Sequence, residues 1–182
     1  MKKKAVAVVM TAVMALGMVS AVSVQAGIED KTLIVGFDAE YPPYGYMDEN
    51  GEYTGFDLEL AQAVCNLEGW ELEKKPINWD SKDMELNSGS IDCIWNGFTM
   101  NGREDDYTFS EPYVDNSQVI VVADDSGIEK LTDLAGKTVG VQAASAALDL
   151  LQSEEEGGQK ELADTFGALN EFADYNTAFT EL

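Results

Sequence analysis

The 182-residue sequence contains no histidine, one arginine and two cysteines, against 34 acidic side chains. Without histidine there is no Ser-His-Asp triad, no Cys-His dyad and no imidazole metal ligand, so the usual hydrolytic and zinc chemistries are out. Two cysteines alone do not complete a structural zinc site, and no cofactor is expected. Basic residues number only 11 and the formal charge is −23. Nucleic acid and anionic membrane surfaces both require clustered Lys and Arg, so neither is a natural partner.

The basic residues that exist are unevenly spread. Lys2, Lys3 and Lys4 open the chain, and Ala5 to Val22 is apolar apart from Thr11, Gly17 and Ser20. Val24-Gln25-Ala26 then supplies the small residues read by a signal peptidase. A membrane anchor is the rival reading, since the run approaches the roughly 20 residues that span a bilayer. The small-residue exit followed by Gly27-Ile28-Glu29-Asp30 favours cleavage after Ala26, hence a signal peptide at 1–26 and an exported protein, periplasmic or extracellular. No cysteine lies near the cut to carry a lipid.

Export makes a disulfide chemically permissible. Cys65 falls on a helical stretch, Phe56–Leu67, and Cys93 on an apolar strand, Ile91–Trp95. A helix packed on its own sheet can bring two Cα atoms to the about 4.4–6.8 Å that a bridge needs. A Cys65–Cys93 disulfide is the favoured expectation, with two buried free thiols as the alternative.

Along the rest of the chain strands and helices alternate. Lys31–Phe37 reads as a strand, Asp38–Gly55 as a Pro/Gly/Tyr-rich loop, and Phe56–Leu67 as a helix with apolar residues at 56, 58, 60, 61, 64 and 67. A half-exposed strand at Trp70–Asn78 and a short helix at Asp80–Asn87 follow. Ile91–Trp95 reads as a strand buried on both faces, and Asn116–Ala123 as another strand. Then come a helical turn at Ile128–Leu134, a strand at Thr138–Val141, a helix at Ala143–Glu155, a strand near Leu169–Ala173 and a helix from about Thr177. This alternation predicts an α/β architecture with parallel sheets. The sequence stops at Leu182 inside a helical pattern, without a cap, and reads as truncated.

The single arginine, Arg103, comes just after Asn96-Gly97-Phe98-Thr99, a turn closing the Ile91–Trp95 strand. A planar guanidinium matches a carboxylate bidentately and stays charged, so Arg103 is a candidate seat for a small anion. A lone surface ion pair is the plainer alternative.

Six stretches then carry a resemblance. They are Gly36-Phe37-Asp38-Ala39-Glu40-Tyr41-Pro42-Pro43-Tyr44, Gly55-Phe56-Asp57-Leu58-Glu59-Leu60-Ala61, Ser88-Gly89-Ser90-Ile91-Asp92-Cys93, Asn96-Gly97-Phe98-Thr99, Phe109-Ser110-Glu111-Pro112-Tyr113, and the run from Leu131 to Val141. In this order and spacing the chain resembles the solute-binding proteins of polar-amino-acid ABC importers, solute-binding family 3. The resemblance implies a two-lobe, type II periplasmic-binding-protein-like α/β fold, with lobe one nearly complete at 27–115, a first hinge strand at 116–122, and a partial lobe two at 123–182.

It also implies a ligand and a site. An amino acid, or a similar small zwitterion, would sit between the lobes for delivery to an ABC permease and its ATPase by a monomeric binding protein. Arg103, with Gly97 and Thr99, would seat the α-carboxylate, although family members usually have one residue more between the threonine-like position and the arginine. Tyr41 and Phe56 match aromatic positions that sandwich the ligand side chain, with ordinary packing as the alternative. Asp38 matches a position that touches the ligand or its cation, or else caps the loop. Asn96 and Trp95 replace smaller residues and imply a narrower or more polar pocket. Gln142 and Ser145 match the lobe-two turn at the ligand, with a plain helix cap as the alternative. The acidic partner for the ammonium group would lie past Leu182. A receptor ectodomain, or an enzyme on the same fold (an exported dehydratase or a cell-wall lyase module), stays open, although neither Glu40 nor Asp38 makes a convincing general acid.

Overall fold

In the computed structural model, which describes residues 31–182, the chain runs β1 (Thr32–Phe37), β2 (Glu40–Tyr41), β3 (Gly45–Met47), β4 (Tyr53–Thr54), α1 (Phe56–Glu68), β5 (Glu71–Pro76), α2 (Lys82–Asn87), β6 (Cys93–Ile94), β7 (Thr138–Gln142), α3 (Ala146–Gln152), α4 (Lys160–Ala163), β8 (Ala168–Phe172) and α5 (Tyr175–Thr180). The expected leader, residues 1–26, lies outside the described residues.

β1 is the apolar centre of the first α/β unit. It pairs in parallel with β5 from Thr32↔Glu71 to Phe37↔Pro76 and with β6 at Val35↔Cys93 and Gly36↔Ile94. A strand flanked on both edges and covered on its faces needs apolar side chains throughout, and Val35 and Phe37 are fully buried. Against them α1 lays Leu58, Ala61 and Cys65, at helical spacing, and these five residues with Leu33 form the core of this unit. The helix ends at Gly69, whose φ of 70° is the left-handed conformation that a glycine adopts without a Cβ penalty, and the following chain turns back to Cys65.

The start of α1 is set by the loop in front of it. Gly55 has φ 126°, and a Cβ there would stand 2.3 Å from the Tyr44 carbonyl oxygen. That close approach lets the Phe56 and Asp57 N–H groups donate to the Pro43 and Tyr44 carbonyls at 2.9 and 3.1 Å. Two of the helix's four free donors are thereby satisfied by the loop's own backbone. The same loop, expected to be irregular, contains the antiparallel meander β2-β3-β4.

Cys65 and Cys93 do not form the expected bridge: both are free thiols. Cys65 points from the buried face of α1 into the core, and Cys93 packs against the same cluster from the neighbouring strand. Each fills space as a small hydrophobe.

The second unit pairs β7 with β8 in parallel, Thr138↔Ala168 to Gln142↔Phe172. Its helix α3 is shorter than the Ala143–Glu155 expected. Ala144 has φ 51°, outside helical geometry, and the Ser145 hydroxyl then caps the helix by accepting from the Leu148 N–H at 3.2 Å. Residues 107–123 between the units form no strand, contrary to the strand expected at Asn116–Ala123; among the described residues no strand forms a ladder with them. The helix α4 was not expected, and α5 starts two residues early because Asp174 accepts from the Thr177 N–H at 2.6 Å and caps it.

Candidate functional site

In the first sheet the chain leaves β1 toward β5 on one side and β6 on the other, so the carboxyl end of β1 is a topological switch point, where open α/β sheets leave a crevice. Asp38 and Asn96 are the residues that emerge there. Both are buried, and the Asn96 side-chain oxygen accepts from the Asp38 N–H at 3.1 Å. The Asp38 carboxylate accepts from the Glu40 N–H at 2.9 Å and from Gln142 Nε2 at 2.7 Å. Gln142 is the last residue of β7, buried, and it also donates to the Ala173 carbonyl, just past β8, at 3.2 Å. The two parallel sheets therefore face one another through the carboxyl ends of their strands. Burial pushes the Asp38 carboxyl up, against the hydrogen bonds from Glu40 and Gln142, while the nearby Asp174 and Glu40 carboxylates push it further.

Beside this seam runs a row of rings. Tyr41 stacks on Tyr44 at 5.6 Å and lies 5.9 Å from Tyr175 of the second unit; Tyr44 meets Phe56 edge-on at 6.1 Å, and Phe56 stacks on Tyr113 at 6.2 Å. Tyr41 and Phe56 are thus joined through Tyr44 rather than facing each other. Gly97 and Thr99 line a cavity of about 350 Å³ together with Tyr41, Tyr44 and Tyr113. The Thr99 hydroxyl accepts from Asn116 Nδ2 at 3.0 Å. A second cavity of about 340 Å³, on the other side of Asp38, is acidic, with Glu40, Glu85 and Asp174 in its wall beside Trp79.

Arg103 sits over the Phe98 ring at 5.1 Å. Its guanidinium donates to the Thr99 carbonyl at 3.4 Å, so the short loop does hold it against the Gly97–Thr99 turn. The rest of the fork reaches the second unit: Nη2 lies 3.5 Å from the Ala144 carbonyl oxygen and 2.5 Å from Asp149 Oδ2 on α3. Ser145 follows Ala144 in the chain, and its hydroxyl is engaged as the α3 cap.

The structure thus gathers Asp38, Asn96 and Gln142 at one end of the seam, Tyr41, Gly97 and Thr99 around the ring-lined cavity, and Arg103 at the other end near Ser145. Phe56 stands inside the ring row, between Tyr44 and Tyr113, and is half-exposed. Four participants were not legible: Tyr44, Tyr113, Tyr175 and Lys82. Tyr44 stood in the Tyr41-Pro42-Pro43-Tyr44 run, and Lys82 follows Trp79 by one helical turn, which places its ammonium 5.3 Å from the indole.

Comparison with known proteins gives this geometry a context. The chain is 38% identical over 138 residues to an arginine-binding extracellular protein of Bacillus subtilis (strain 168), a match covering 75% of this chain and 51% of that protein. It is 36% identical over 141 residues to an L-cystine-binding protein of Escherichia coli (strain K12), covering 71% and 53%. The chain therefore spans about half the length of the curated relatives it matches. Among solved structures, a substrate-binding protein of an ABC uptake transporter from Streptococcus pneumoniae with bound histidine superimposes with a TM-score of 0.77 at 35% identity, over 84% of this chain and 61% of the other. The fold is the two-lobe α/β fold of periplasmic binding proteins, of which this chain holds a part. The pattern of the bacterial extracellular solute-binding proteins, family 3, matches residues 33–180, and the chain belongs to that family.

Proposed function

We propose that this chain supplies most of one lobe and part of a second in a protein that binds an amino acid in the interlobe crevice. Residues 27–115 form lobe one, 116–122 the first crossing and 123–182 the second lobe's opening portion. The bound amino acid passes to an ABC permease and its ATPase, and the binding protein acts as an exported monomer without enzymatic activity. The observation that carries the reading is the meeting of strand carboxyl ends across the seam, with Asp38 and Gln142 2.7 Å apart at one end and the only guanidinium of the sequence lying across the other.

The roles follow from chemistry. Arg103 and the Gly97–Thr99 turn take the α-carboxylate. The rings of Tyr41, Tyr44 and Phe56 take the side chain. Asp38, held by Asn96, offers a carboxylate to a cationic group, and Gln142 with the Ser145 turn closes on the ligand from the second lobe. Relatives named for arginine and cystine binding agree with a zwitterionic ligand. Among the described residues no helix is long and apolar enough to cross a membrane.

Isothermal titration of the complete gene product with each of the common amino acids tests this. At least one is expected to bind, with a matching rise in melting temperature. No heat and no thermal shift with any of them would discard the reading.

A further inference from the structure

The guanidinium assigned to a ligand's carboxylate already holds a carboxylate. Asp149 Oδ2 lies 2.5 Å from Arg103 Nη2, and the pair joins the turn after β6 to the helix α3 of the other unit. The Arg103 side chain is only 10% exposed, whereas that of Asp149 is 59% exposed. The arginine is thus fixed in the protein, and its partner reaches it from the water side.

A second cation converges on the same place. Lys82, at the start of α2, is 4% exposed, and its ammonium donates to the Ala144 carbonyl at 3.3 Å. Arg103 reaches that same carbonyl oxygen. Among the described residues no carboxylate lies within 4.0 Å of the Lys82 ammonium, so this buried charge is met by the Ala144 carbonyl and the Trp79 ring but by no counter-charge in contact. Burial pulls its ionisation downward, and the Arg103 charge adds to that, while Asp83, Asp149 and Asp80 oppose it. An unpaired buried charge is costly, and an arrangement that keeps one has spare capacity for an anion. Two lobe-one cations thus meet at the Ala144 carbonyl, and one lobe-two carboxylate pairs with only one of them.

We propose that Asp149 is an internal occupant of the carboxylate seat, which a ligand's carboxylate displaces, and that Lys82 is the second cation of that seat. The proposal rests on the reading of Arg103 given above. Binding is then an exchange: a ligand gains only the difference between its own pairing with the two cations and that of Asp149. Because every amino acid carries the same carboxylate, Asp149 raises the concentration needed for all of them alike and does not choose among them.

The test is calorimetry on the complete gene product with each amino acid that the parent accepts. Asp149→Asn is expected to tighten binding of every one by a similar factor, roughly 3- to 10-fold for a partly exposed pair. Asp149→Ser, a second neutral variant at this exposed position, should do the same, with melting curves confirming the fold. In the Asp149→Asn background, Lys82→Met should loosen binding again, since no internal carboxylate then compensates for the lost cation. Unchanged or weaker binding in both Asp149 variants, with Arg103→Ala still abolishing it, overturns the exchange and leaves the seat. If Arg103→Ala binds as well as the parent, the seat itself falls, and the exchange with it.

Discussion

The Gln142 side-chain amide donates to the Asp38 carboxylate at 2.7 Å, joining the ends of β7 and β1 across 104 positions of sequence. Both residues are buried, and removing the amide strands Asp38 Oδ2, while the other carboxylate oxygen keeps the Glu40 N–H. Gln142→Leu should therefore cost about 1–3 kcal/mol, the desolvation penalty of a stranded acceptor, in urea unfolding. A loss much below that would mean that water replaces the amide.

Asp57 gives a pH signature. It is fully buried, its Oδ1 accepts from the Tyr113 hydroxyl at 2.7 Å, and its Oδ2 has no partner among the described residues. Burial raises its pKa above the ordinary 3.8, and the Tyr113 hydrogen bond only partly offsets this. A carboxyl with a raised pKa holds its proton more tightly in the folded chain. That contribution is fully present below pH 3.8 and is lost as pH rises through the higher folded value. Asp57→Asn removes the titration, so its stability relative to the parent should improve as pH rises from below 3.8 through the raised folded value and level off above it. A constant offset across that range would count against the account.

Arg103 tests the carboxylate seat directly. On the proposed reading, Arg103→Ala should abolish binding of every accepted amino acid, because all share the carboxylate assigned to it. The loss of a desolvated charge-assisted pair costs about 2–5 kcal/mol, roughly 30- to several-thousand-fold in affinity. Arg103→Lys should not restore it, since an ammonium cannot reproduce the fork. Tyr41→Ala should instead weaken different ligands unequally. Calorimetry on folded variants separates the two patterns.

The thiols make a chemical prediction. Burial, with the nearby Asp92, pushes the Cys93 thiol up to about 11, and burial also raises that of Cys65. Almost no thiolate is present at neutral pH, so both should resist alkylation in the native protein and react once it unfolds. A Cys65–Cys93 peptide in a non-reducing map of never-reduced protein would overturn this.

The sequence was most legible where one local pattern settles the structure. The apolar run of β1, the helical spacing of α1 and the Thr138–Val141 strand all appear where their periodicity put them. The strands β2, β3 and β4 are too short to carry a period, and they were missed. Residues 116–123 have the β-branched composition of a strand but no ladder, because a strand also needs a neighbour. In the site, Asp38, Asn96 and Gln142 were legible as residues just at strand ends. The Arg103–Asp149 pair was not, because nothing local in the sequence links positions that far apart. The Ser145 hydroxyl caps α3, the alternative that the sequence also offered for it.

The way α1 is capped has an energetic consequence for the ligand. Its first N–H groups are held by the carbonyls of Pro43 and Tyr44, so the segment carrying Tyr41 and Tyr44 is locked to a helix whose other face is the core. The rings are then placed when the chain folds, not when a ligand arrives. On the function proposed above, little conformational entropy would be left for a ligand to remove on that side of the crevice, and its contact energy there would go into affinity instead of ordering the wall.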